Sequence, residues 1–225
     1  MYDADVLKNV DGIFGISAGA ANIAYAAVGQ GFMGAQIYWK ENPINFLKMP
    51  SDILEKVRYL VKAMQQGSNN PLVDTQSIGD CMREHKPLDV ASLRALSQEM
   101  YVLGTDCSTG QPVLFNLKTV EDPIAAIEGC ICIPGITTKA SINFGGIETV
   151  DGAYSNPIPL DMIFGMGYTD VLIVANNNFL GGRWSEIFQD LIMAGIASGK
   201  TYGYNEIMIE LIKRHPQILD QNYKA

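Results

Sequence analysis

The stretch DGIFGISAGAANIAYAAVG, from Asp11 to Gly29, constrains this chain more than any other. DGIFGI is a short apolar run suited to a buried strand, and the alanine-rich text after it favours helix. Between them Gly15, Ser17 and Gly19 form a GxSxG pattern, so a strand gives way to a helix sharply, at a serine. Such glycines permit a strained turn that pushes the hydroxyl out at the top of a sheet. The Ala18 N–H then points at a developing oxyanion, and the helix dipole favours negative charge there. A serine before a helix is equally at home as an N-cap. Taken alone, the motif fits both roles.

The remaining pattern predicts an α/β layered chain with helices on both sides of a sheet. Ser51 to Gln66 carries apolar residues at the spacing of an amphipathic helix. MYVLGTD and PVLFNL read as strands joined by a hairpin turn at CSTGQ, DPIAAIEGC as a helix beginning near Asp122, and Glu148 to Val150 as a strand leading into a polar loop. TDVLIVANN, Thr169 to Asn177, reads as a buried strand because VLIV is continuous. Two helices are expected to follow, near Ser185 to Ala197 and Tyr204 to Arg214. With 225 residues and no internal repeat or long linker, residues 1–225 are expected to make one domain.

Charge excludes one class of partner. A net charge of −8 with no basic cluster repels nucleic-acid phosphates, so no nucleic-acid role is expected, and any lipid contact must come from apolar surface. The first ten residues lack a basic leader and a signal-length apolar stretch, and no apolar run reaches ~18 residues, so a soluble, cytoplasmic chain is expected. Cys81, Cys107, Cys130 and Cys132 lack CxxC spacing, and only His85 and His215 could join them, so reduced, mostly buried thiols are expected and no metal.

A nucleophilic serine needs a base. The order Ser17, Asp151, His215 matches that of α/β-hydrolases, yet sixteen residues before the serine cannot hold the strands that precede the nucleophile in that fold. His215, before Pro216 at an expected helix end, has an ordinary reason to meet terminal carbonyls, and His85 reads as a polar helix end. The other route is a carboxylate acting without histidine. Asp151 opens DGAYSNPIP at a strand end, and Gly152 lets the backbone approach a second element; read plainly, the pair is also an ordinary turn. A carboxylate serves as base only if burial raises its pKa.

Together GISAGA and DGAYSNPIPLD resemble the motifs of the patatin-like phospholipase family, and VLGTDCSTGQPVLFN and IPLDMIFGMGYTDVLIVANN are similar to its segments on either side of the aspartate. The resemblance spans roughly residues 11–177. It implies a layered sandwich with a central, mostly parallel sheet flanked by helices, and a Ser-Asp dyad of Ser17 and Asp151 that needs neither histidine nor cofactor. It also implies a lipid or other acyl ester substrate met at membranes or lipid aggregates. The family carries a glycine-rich oxyanion segment before the serine that this sequence does not show, so a missing first strand and an incomplete oxyanion hole are expected. EGCICIPGI also departs from the family's usual small-residue helix there. Three functions are therefore weighed: a lipid acyl hydrolase, an impaired lipid- or partner-binding relative, and a histidine-dependent esterase. Apolar side chains between Phe32 and Leu47 are the expected pocket lining.

Overall fold

The apolar run after Asp11 forms strand β1, Gly12–Ile16, and the alanine-rich text forms helix α1, Ala18–Ala27. Both belong to a computed structural model that describes residues 6–38, 75–133, 137, 141–174 and 205–224. A short helix α2, Gly31–Ala35, packs on α1. Helix α3, Thr75–Asp80, continues into a π-helical turn, Cys81–His85, and α4, Val90–Arg94, is capped by Asp89. The expected hairpin is present as β2, Glu99–Asp106, and β3, Pro112–Asn116. Its turn is held by Asp106, whose carboxylate accepts from Ser108 and Thr109, and Gly110 supplies a positive φ of 69°. Helix α5, Pro123–Cys130, is followed by β4, Ile142–Phe144, and β5, Ile147–Asp151. Helices α6, Leu160–Gly165, and α7, Glu206–Lys224, complete the described elements.

The result, among the described residues, is an α/β protein with a mixed, open, five-stranded sheet flanked by helices. Among the described strands only β1 and β2 run parallel, while β2–β3, β2–β5 and β4–β5 are antiparallel. Short turns joining β2 to β3 and β4 to β5 make two of these pairings antiparallel, because two-stranded hairpins can only be antiparallel, while β2 and β5 pair antiparallel without such a turn.

Along β5, Val150 packs with Tyr154 and with Met208 and Ile212 of α7, whereas its neighbour Thr149 faces α5 at Gly129. Alternate side chains thus meet helices on opposite faces of the sheet. Val102, Leu103 and Thr105 of β2 are all buried, as a strand covered on both faces requires. The larger core lies between α1, α5 and the sheet, with Tyr25, Met82, Leu93, Met100 and Ile127 among its buried side chains. No helix among the described residues is long and apolar enough to cross a membrane.

Two expectations about elements need correction. Thr169 to Val174 forms no strand, and Leu172, Ile173 and Val174 are 66%, 48% and 64% exposed. A β-prone run becomes a strand only where a neighbour takes its hydrogen bonds, so composition alone misread it. The final helix also runs past Arg214 and through Pro216 to Lys224, because a proline removes one backbone donor without obliging the chain to leave the helix. His215 is therefore not at a helix end. The helices expected at 51–66 and 185–197 lie outside the described residues, as do positions 175–177.

Asp122 caps α5 by accepting from the N–H groups of Ile124 at 2.9 Å and Ala125 at 3.0 Å, and it also meets Arg83 at 3.2 Å. Arg83 in turn holds the buried Glu128 at 2.9 Å. Asp122→Ala is expected to lower unfolding free energy by about 1–2 kcal/mol, read as a lower urea midpoint at unchanged slope.

Candidate active site

Strand register alone brings the two motif residues together. Residues 101–103 of β2 pair with both β1 and β3, and residues 104–105 pair with both β3 and β5. Since a strand has two edges, β1 and β5 must lie end to end along the same edge of β2. The last residue of β1, Ile16, pairs with Leu103, and the last of β5, Asp151, pairs with the next residue, Gly104. Ser17 leaves β1 where Asp151 ends β5, so residues 134 apart in sequence meet over one peptide of β2.

Ser17 is the only non-glycine among the described residues with positive φ, at φ 53° and ψ −139°. A side chain held there costs on the order of 1–3 kcal/mol, and such strain persists only where its surroundings impose it. The serine makes no side-chain cap to α1, which sets aside the N-cap role. Gly15 is required sterically, because a Cβ there would stand 2.6 Å from the Ala20 Cα and 2.9 Å from the Ile23 side chain. Its absence lets α1 fold back tightly on β1. Gly19, by contrast, faces open space, so the turn does not need a glycine there on steric grounds. Ala18 is exposed at the first turn of α1, where backbone N–H groups lack intrahelical acceptors.

Asp151 is 2% exposed. Its Oδ1 accepts from the Ala153 N–H at 2.9 Å, while Oδ2 is buried with no partner at hydrogen-bond length. Burial pushes the carboxyl up to about 6, against the opposing pull of the Ser17 hydroxyl and the Ala153 N–H. The serine thus acts on the carboxylate through a contact looser than a formed hydrogen bond. The titratable neighbours facing Asp151 are the Cys130 thiol of α5 and the Tyr154 phenol; burial is the largest cause holding both neutral well above neutral pH. Gly152 is needed because a Cβ would collide with the Leu103 carbonyl oxygen.

The remaining candidates are not gathered here. His85 is exposed in the π-helical turn after α3, and the His215 side chain lies outside the described residues. Cys81, Cys130 and Cys132 are buried and Cys107 half-buried, none of them in a disulfide, and burial raises Cys107 to about 12. No cluster of metal-ligating side chains occurs among the described residues. Phe32 is largely exposed, and positions 39–47 of the expected pocket lining lie outside the described residues. Sequence reasoning missed Thr105 and Ser155, whose hydroxyls contact the Asp151 segment. Their one signal was a threonine inside the otherwise apolar run of a central strand.

No protein-family model matches the chain, and no curated protein matches it.

The raised carboxyl has a consequence for stability. Folding favours the neutral form, so this contribution is fully present below the ordinary 3.8 and is lost as pH rises through about 6. Above that pH the buried charge costs on the order of 3 kcal/mol. Asp151→Asn is expected to melt higher than the parent chain at about pH 8, with the gap closing toward about pH 4, in calorimetry across that range.

Proposed function

We propose that this chain is a serine acyl hydrolase of lipid esters, of the patatin-like kind, with Ser17 as nucleophile and Asp151 as base. The observation that carries this is a strained, uncapped serine beside a fully buried carboxylate whose pKa is raised to about 6. At that value the group is about nine-tenths ionised at pH 7, yet binds a proton more readily than an ordinary aspartate. The likeness of GISAGA and DGAYSNPIP to the family's two motifs supports the same assignment.

In this scheme the Ser17 Oγ attacks the ester carbonyl carbon as its proton passes to Asp151, whose Oδ2 is the oxygen without a partner. The carbonyl oxygen becomes an oxyanion that the Ala18 N–H receives, aided by the positive end of α1. Collapse breaks the bond to the alcohol, which departs with the proton from Asp151 and leaves an acyl-serine. Water then attacks the acyl-serine, giving its proton to Asp151; Ser17 recovers a proton from that carboxyl, and the fatty acid is released. The substrate meets the protein through apolar surface, since the net charge of −8 offers nothing to anionic headgroups.

Ser17→Ala and Asp151→Asn are each expected to abolish hydrolysis of short-chain p-nitrophenyl esters and labelling by a fluorophosphonate probe, and the double variant should lose no more than either alone. Binding of lipid vesicles without turnover or labelling in the parent chain would favour a binding module instead. His85→Ala and His215→Ala are expected to change turnover by less than about tenfold; a loss equal to that of Ser17→Ala in folded protein would install a histidine as the base. Because the base must be ionised, kcat/KM should fall as pH drops through about 6.

A further inference from the structure

The Asp151 side chain takes its direction from a backbone fixed on both sides. Its N–H donates to the Cys132 carbonyl at 2.8 Å, and its own carbonyl accepts from Thr105 Oγ1 at 2.9 Å. Thr105 is fully buried on β2, next to Gly104, the residue paired with Asp151. Its hydroxyl also lies 2.8 Å from Ser155 Oγ, which donates to the Gly152 carbonyl at 3.3 Å.

Each hydroxyl has one proton to give. Thr105 has the Asp151 carbonyl and Ser155 the Gly152 carbonyl as acceptor, so either hydroxyl can supply the proton of the short contact between them. The two hydroxyls thus join the carbonyls of Asp151 and Gly152. The Asp151–Gly152 peptide is also pressed against the Leu103 carbonyl at Gly152, where no side chain fits. With Oδ1 bound to the Ala153 N–H, Oδ2 is left buried without a partner in the carboxylate that the Ser17 hydroxyl acts on.

We infer that Thr105, linked to Ser155, is a positioning residue: its hydroxyl locks the Asp151–Gly152 peptide and so aims the carboxylate at Ser17. The chemistry this serves rests on the hydrolase reading, but the aiming of the carboxylate does not.

Three variants test it: Thr105→Val, which keeps shape and removes the donor; Thr105→Ser, which restores the donor; and Ser155→Ala, which removes only the second hydroxyl. Two readouts are followed, kcat/KM against pH for p-nitrophenyl butyrate and the carboxyl titration of Asp151 by NMR with carbon-labelled aspartate. Thr105→Val is expected to lose at least about tenfold in kcat at little change in KM. Its Asp151 titration should move from about 6 toward the ordinary carboxylate range, because a loosened carboxylate gains water. Thr105→Ser should recover most of both. Ser155→Ala should shift both in the same direction by less, and it carries the test if the valine chain does not fold. A folded Thr105→Val chain with the parent's Asp151 titration, or a Ser155→Ala chain unchanged in both readouts where the valine chain fails to fold, overturns the inference. If the parent chain hydrolyses nothing while the titration still moves with Thr105, the positioning stands and the hydrolase reading falls.

Discussion

One edge of β2 is shared, end to end, by two strands from distant parts of the chain, and the rest of the site depends on that arrangement. Ile16 opposite Leu103 and Asp151 opposite Gly104 put the ends of β1 and β5 on adjoining residues. A slip of one residue in either pairing would shift a strand by about 3.3 Å and turn its side chains to the other face. Packing opposes that slip, since a shifted β5 would turn Val150 away from Met208 and Ile212 and take the Asp151 carbonyl from Thr105.

Two local costs sit at this junction: a serine in backbone space that side chains avoid, and a carboxylate removed from water. Neither stabilises the fold. They are offset by the apolar packing around them, with α1 drawn tightly onto β1 over Gly15 on one side and Val150 with Tyr154 seated under α7 on the other. Residues that lower stability and persist in a well-packed setting are a common mark of a working site.

Much of this was legible in the sequence, and unevenly. The strand, turn and helix around Ser17 followed from apolar text, a small-residue turn and alanine content, and the hairpin and the helix beginning near Asp122 followed from their local chemistry. Those features are short-range, so a linear text can carry them. The mixed character of the sheet and the exposure of Leu172 to Val174 depend on which strand finds which neighbour, and no residue states that by itself. Ser17 and Asp151 were visible as motif residues, whereas Thr105 became visible only once register had set its hydroxyl against the Asp151 carbonyl. The role of Gly19 shows the opposite error: its spacing promised a steric need that the open space around it does not impose.

Helix α7 covers the strand that ends in Asp151 from the Val150 side. Met208 and Ile212 cover Val150 and Tyr154, and Asn205 fastens the start of the helix to the Cys107 carbonyl at 2.9 Å. Among the described residues this small cluster is separate from the main core. Amide exchange at the last helix would therefore report the cover over Val150 and Tyr154 separately from the main core.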